Sequence, residues 1–149
     1  MPVAKSRANA TWHGNLMDGS GTVSTASGVV QNAPISWANR AQRTEATNGT
    51  SPEELIGAAL ASCFTMALSN NLASNGTPPD SLAVTATTSF ETGASGASIS
   101  AIHLDVKGSV PNVNSSDFQQ LAEQAKNGCP VSQALSDSVN LTVRAELQH

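Results

Sequence analysis

The segment that most restricts the fold begins at Ser51. Ser51 is a good N-cap, Pro52 suits the first helical position, and Glu54, three residues after Ser51, completes a capping box. Behind this start, Leu55-Ile56-Gly57-Ala58-Ala59-Leu60-Ala61-Ser62-Cys63-Phe64-Thr65-Met66-Ala67-Leu68 is apolar almost all round. The pattern predicts a central, buried helix that stops near Gly76-Thr77-Pro78-Pro79. Gly57, Ala58, Ala59 and Ala61 would let another element pack very close to it. Ser62 and Thr65 interrupt the apolar run, which falls short of the roughly 20 residues needed to cross a bilayer.

The rest of the chain reads mainly as short strands. Residues 8–13 alternate, with Ala10 and Trp12 between polar neighbours. Asp18-Gly19-Ser20-Gly21 is a turn, and 22–26 and 35–38 are further strand candidates. Gly19-x-Gly21 lacks the third glycine and the following helix of a nucleotide loop, so it is read as a hairpin turn. The polar stretch 39–50 is expected to be loop. Residues 82–90 and 98–110 alternate as strands, the second with Ile102, Leu104 and Val106 on one face. Ser116 is expected to cap a helix carrying Phe118, Leu121, Ala122 and Ala125 and ending at Gly128. Cys129-Pro130-Val131-Ser132 then opens a short helix, and 139–147 is a last strand. The order β-β-β-α-β-β-α-α-β is an α+β pattern. With 149 residues and no repeat or long linker, it is expected to form a single domain over 1–149.

Composition excludes several function classes. Seven basic and eleven acidic residues give a net charge of −4, with no run of either sign. No Tyr, two Trp and three Phe leave few stacking platforms, so nucleic acid is not an expected partner. Met1-Pro2-Val3-Ala4-Lys5-Ser6-Arg7 has no apolar stretch behind its charges. The expectation is a cytoplasmic protein with neither signal peptide nor membrane association. Two cysteines in a reducing compartment are not expected to form a permanent staple. There is no Cys-x-x-Cys or His-x-x-x-His, and His13, His103 and His149 are scattered, so neither metal nor cofactor is expected.

The cysteines differ in setting. Cys63 can be read as a small core residue, and its apolar surroundings should raise its pKa unless a cation sits beside it. Cys129, just before Pro130 at a helix start, faces unpaired N–H groups that lower a thiol pKa. Local physics alone nominates Cys129 as the reactive thiolate. It leaves open whether the two cysteines, 66 positions apart, meet across the fold.

The stretch from Thr50 to Leu68 closely resembles the signature helix of the OsmC/Ohr family, the osmotically inducible and organic hydroperoxide resistance proteins of bacteria. Cys129-Pro130-Val131-Ser132 is similar to that family's second cysteine motif. Trp12-x-Gly14, Gly21-Thr22-Val23-Ser24-Thr25 and the pair Asn39-Arg40 look like the OsmC branch. The resemblance spans essentially the whole chain. It implies antiparallel sheets wrapped around central helices in an intertwined homodimer. It further implies Cys63 as peroxidatic cysteine, Cys129 as resolving cysteine, Arg40 as active-site arginine and Glu53 as the acid that orients it. Ala41 departs from the pattern, since an aromatic residue commonly follows that arginine, and Arg43 stands close enough to be the alternative. Alone, Glu53 would read as a helix-dipole charge, but Glu54 already fills the capping-box position and leaves Glu53 free.

By the same resemblance the chain is a peroxidase whose substrate is a hydroperoxide and whose reductant is a lipoyl-type dithiol or a small thiol. Ile56, Leu60, Phe64 and Met66 are read as an apolar wall suited to organic hydroperoxides, with hydrogen peroxide also open. The competing reading is a redox sensor or binding module that oxidises without turnover. Finally, Glu53 and Cys63 are ten residues apart on one helix, roughly 15 Å along its axis. With no internal proline to kink that helix, the expectation is that Glu53 reaches the active site from a second copy of the chain.

Overall fold

The computed structural model describes residues 2–148, and the chain divides into two compact units, Met1–Glu54 and Leu55–His149.

In the first unit, β1 (Ala8–His13), β2 (Ser20–Thr25) and β3 (Ala33–Ile35) form an antiparallel sheet in that order. Trp12 pairs with Gly21, and a side chain at Gly21 would collide with the Thr11 carbonyl and the Trp12 indole. Glycine is required there by close approach, within the strand rather than in the turn. The turn lies earlier, where Asn15 accepts from the Asp18 amide at 2.8 Å through its side chain and from the Gly19 amide at 2.9 Å through its carbonyl.

The stretch expected as strand at 35–38 and loop from 39 is different. The Ser36 side chain accepts from the Asn39 amide and caps a short helix, α1 (Trp37–Ala41), which carries Arg40 in its last turn. A hydroxyl cap can wind one turn from residues without helical periodicity, so no apolar pattern announced it.

α2 (Pro52–Ser74) starts where the capping signal placed it. Ser51 Oγ accepts from the Glu54 amide at 3.1 Å, a cap worth about 1 kcal/mol. The Glu54 carboxylate binds elsewhere, accepting from Thr50 Oγ1 and Arg43. With its full 23 residues and a mean hydropathy of 1.4 in its most apolar window, α2 is long and apolar enough to cross a membrane, beyond what the 55–68 run suggested.

In the Leu55–His149 unit, Leu60, Phe64, Leu68 and Leu72 recur every four residues and are fully buried. At about 2–3 kcal/mol for each such side chain, this stripe is the main anchor of the helix. It packs in one cluster with Ile102, Leu104 and Val106, which share a face of their strand as expected, and with Phe118, Ala122 and Ala125. Met66 is 68% exposed and Ala58, Ala59 and Ser62 are also exposed, so α2 is buried along one face rather than all round. Gly57 spends its small size inside the unit: a Cβ there would stand 3.1 Å from Thr88 Oγ1.

β4 (Ser81–Gly93) and β5 (Gly96–Ser109) form an antiparallel hairpin with a bulge at Ser89/Phe90. Asn114, two residues before Ser116, caps α3 (Ser115–Gly128) by accepting from the Asp117 amide. α4 (Pro130–Leu135) follows, and β6 (Asn140–Leu147) pairs with β5 in parallel. This sheet is therefore mixed rather than antiparallel, because α3 and α4 carry the chain back before β6 begins. β6 would present an open edge, and α3 covers it. Gln119 accepts from the Ala145 amide at 2.7 Å and donates to the Val143 carbonyl, while Lys126 Nζ donates to the Leu141 carbonyl.

Candidate active site

The four residues expected to carry chemistry fall into two pairs, one in each unit. Cys63 lies on α2 one residue before Phe64, at the border of the buried stripe, and keeps part of its surface open. Cys129 is fully buried and occupies the junction of two helices. Its amide donates to Ala125 to close α3, and its extended backbone lets Pro130 start α4. The two sulfurs lie 2.6 Å apart in a shared S–H···S hydrogen bond, and both cysteines are free thiols.

Their surroundings split their acidities. Burial pushes the Cys63 thiol up, the hydrogen bond to Cys129 adds to this, and the Val131 amide only partly opposes it. At Cys129 burial also works against the charge. It is outweighed by the hydrogen bond with Cys63, by the amide and hydroxyl of Ser132 and by the Val131 amide, so this pKa is lowered. Ser132 is 1% exposed. Its hydroxyl has no partner of standard hydrogen-bond geometry, yet lies close enough to the Cys129 sulfur to stabilise a negative charge there. The expected raised Cys63 and lowered Cys129 are both found. Ser132 was visible only as part of a motif; its position in the first turn after Pro130 was the signal of its task.

In the Met1–Glu54 unit, Arg40 Nε donates to Glu53 Oε1 at 2.7 Å. Glu53 is 5% exposed, and its second oxygen is buried without a hydrogen-bond partner, so a buried carboxylate is left with unused acceptor capacity. Arg43 is engaged differently. It donates to the carbonyls of Asn39 and Gly49 and to Glu54 Oε2 at 2.6 Å, tying the loop between α1 and α2 together. The two arginines thus have separate acids, Arg40 with Glu53 and Arg43 with Glu54. Arg40 also borders an apolar cavity of about 370 Å³ lined by Trp12, Leu16, Ile35, Trp37 and Pro52. Trp37 stands one helical turn before Arg40, a spacing that could have drawn attention to it.

The apolar wall expected from Ile56, Leu60, Phe64 and Met66 does not form. Leu60 and Phe64 are consumed by the core, and Met66, two residues beyond Phe64, points away from it. Among the described residues no three His, Cys, Asp or Glu side chains gather where a metal ion could sit.

Two touching thiols, one inside a long helix and one at a helix start, the second acidified by its surroundings and the first not, define a dithiol protein of α+β architecture. The chain belongs to the OsmC family: the family model described as OsmC-like protein matches residues 44–144. It is 42% identical over 135 residues to peroxiredoxin OsmC of Escherichia coli K12, covering 91% of this chain and 92% of that protein. The same identity and coverage hold for peroxiredoxin OsmC of Shigella flexneri. Among solved structures, the organic hydroperoxide resistance protein OhrB of Bacillus subtilis superposes with a TM-score of 0.71 at 25% identity, over 94% of this chain and 98% of that one. An organic hydroperoxide resistance protein from Elizabethkingia anophelis shares the fold, with a TM-score of 0.71 at 23% identity over 97% and 99% of the two chains.

Proposed function

We propose that this protein is a cysteine-dependent hydroperoxide reductase acting in the cytoplasm, with Cys63 as the attacking thiol and Cys129 as the resolving one. The observation that carries this reading is the 2.6 Å contact between a partly open Cys63 and a buried Cys129, in a family whose relatives bear the name peroxiredoxin. Only Cys63 has surface for a peroxide to reach. Its thiolate attacks the terminal peroxide oxygen, and the O–O bond breaks. Cys63 becomes a sulfenic acid, and the departing oxygen takes a proton to leave as alcohol, or as water from hydrogen peroxide. The Cys129 thiolate, already in contact, displaces hydroxide from that sulfenic acid to give a disulfide, and the hydroxide takes a proton to leave as water. This protects Cys63 from further oxidation. An external dithiol of lipoyl type, or small thiols, returns both cysteines to the reduced state.

Because burial raises the Cys63 pKa, attack requires a cation. Arg40 fills that role, held by Glu53, and it also stabilises charge on the leaving oxygen. Arg43 is occupied by the loop carbonyls and Glu54, which favours Arg40 over it. The apolar cavity beside Arg40 suits the carbon skeleton of an organic hydroperoxide. The working unit is proposed to be a homodimer in which Glu53 acts in trans. Two observations support this: the ten-residue helical spacing from Glu53 to Cys63, and the uncovered apolar face of α2. Steady-state peroxide consumption with dithiothreitol, comparing cumene hydroperoxide with hydrogen peroxide, tests the activity. Turnover faster with the organic peroxide is expected. Oxidation of the cysteines without turnover would instead make the protein a redox sensor.

A further inference from the structure

The structure holds two sulfurs that a reducing thiol could attack once Cys63 and Cys129 are joined, and they are not equivalent. We propose that the reductant attacks Cys63 and expels Cys129 as the leaving thiolate, with the Ser132 hydroxyl stabilising the charge on that sulfur. This rests on the peroxidase reading for the origin of the disulfide, though the direction of attack depends on geometry alone.

A thiolate displaces a disulfide sulfur along the S–S axis, approaching the attacked atom from the side opposite its partner, so access decides which sulfur reacts. Cys129 is fully buried, in one core cluster with Phe118, Ala122 and Ala125, and offers no surface to an incoming thiol. Cys63 keeps open surface. The polar cavity of about 590 Å³ nearby is lined by Ser132, Ser136 and Ser138 but not by Cys129, so it gives no second route to that sulfur. The leaving side is equally one-sided. The Ser132 hydroxyl, three residues after Cys129, is buried without a hydrogen-bond partner, and together with the amides of Val131 and Ser132 it favours negative charge on the Cys129 sulfur. A thiol whose charge is stabilised in this way leaves faster.

The step balances. A reductant R–S⁻ bonds to Cys63 Sγ, the Cys63–Cys129 bond breaks, and its electron pair departs on Cys129 Sγ. With a dithiol, the second sulfur then attacks the reductant's own sulfur, releasing Cys63 as thiolate and a cyclic disulfide. Two electrons pass from the dithiol to the protein.

The test uses the full-length protein oxidised in two ways, by one equivalent of cumene hydroperoxide and by diamide. Each sample is mixed briefly with thionitrobenzoate, quenched in acid, blocked with N-ethylmaleimide and mapped by peptide mass. The expected result is thionitrobenzoate on Cys63 and N-ethylmaleimide on Cys129; the reverse pattern overturns the proposal. If diamide forms the disulfide and peroxide does not, the peroxidase reading fails while the direction of attack is still decided by the diamide sample. If neither forms it, both fail. For Ser132, the Ser132→Ala variant is expected to lose roughly tenfold in the rate of disulfide reduction by dithiothreitol, with Cys129 titrating at higher pH. An unchanged rate and unchanged titration would remove Ser132 from this role.

Discussion

Cys63 sits within α2 with part of its surface open, whereas Cys129 is enclosed at the junction of α3 and α4. The sulfurs touch, but the net effect of their surroundings in the Leu55–His149 unit favours negative charge on Cys129, against the opposing effect of burial, and keeps the proton on Cys63. Access and acidity therefore point to different residues. The more open thiol is not the one its own unit ionises, so the proposed attack by Cys63 needs a charge supplied from elsewhere. The Arg40–Glu53 pair is the candidate supplier. Its buried, half-satisfied carboxylate contrasts with the Arg43–Glu54 pair, whose acid is half-exposed and whose arginine is spent on loop carbonyls.

The sharpest way to break this contrast is to remove one sulfur at a time. Cys63→Ser is expected to abolish peroxide consumption, whereas Cys129→Ser should lose recycling but keep one turnover. Single-turnover alcohol release measures this, and the opposite outcome would reverse the roles. Next in size, Arg40→Met should raise the Cys63 pKa further and slow attack by about ten- to a thousandfold. Thiolate absorbance against pH reads the shift, and a larger effect from Arg43→Met would transfer the role. The same pair should separate in stability. Losing Arg40 strands the buried Glu53 and should cost about 3 kcal/mol, since Arg40 itself is a third exposed. Losing Arg43 breaks a more exposed pair and should cost about 1 kcal/mol or less. Urea unfolding curves would show whether that order holds.

A twofold effect tests the dimer. Refolding Glu53→Ala together with Cys63→Ser should return about half of wild-type activity in isolated mixed dimers, because one site regains both residues. No recovery in verified mixed dimers contradicts action in trans. The smallest effect is on pH-dependent stability. Cys129 has a folded pKa below its ordinary value of 9.0, so its ionisation stabilises the fold above that value and the contribution is lost as pH falls through the lowered one. Wild type should therefore gain melting temperature over Cys129→Ser as pH rises towards 9.0. A gap that is flat or shrinks would show that Cys129 is not the stabilised thiolate.

Much of this was legible in the residues because it rests on local rules. The Ser51 cap, the start of α2, the shared face of Ile102, Leu104 and Val106, and the opposed acidities of the two thiols all follow from neighbours in sequence. What was missed depends on long-range placement or on single hydrogen bonds. Alternation in residues 139–147 predicts a strand but not that β6 lies parallel to β5. A capping hydroxyl at Ser36 winds α1 where no periodicity exists, and Asn114 caps α3 ahead of Ser116. An all-apolar helix hides which face is buried, and so its pattern alone does not separate Leu60 and Phe64, which belong to the core, from residues of a substrate wall. Arg40 and Arg43 are indistinguishable as letters and separate only through their partners.

The measurement that bears most directly on the assignment of Cys63 is to locate the sulfenic acid. Cys129→Ser and Cys63→Ser are each treated with one equivalent of cumene hydroperoxide in the presence of dimedone, and the adduct is mapped by peptide mass spectrometry. The account predicts a stoichiometric adduct on Cys63 in Cys129→Ser and none in Cys63→Ser. An adduct on Cys129 in Cys63→Ser, with Cys63 unlabelled in Cys129→Ser, would contradict it.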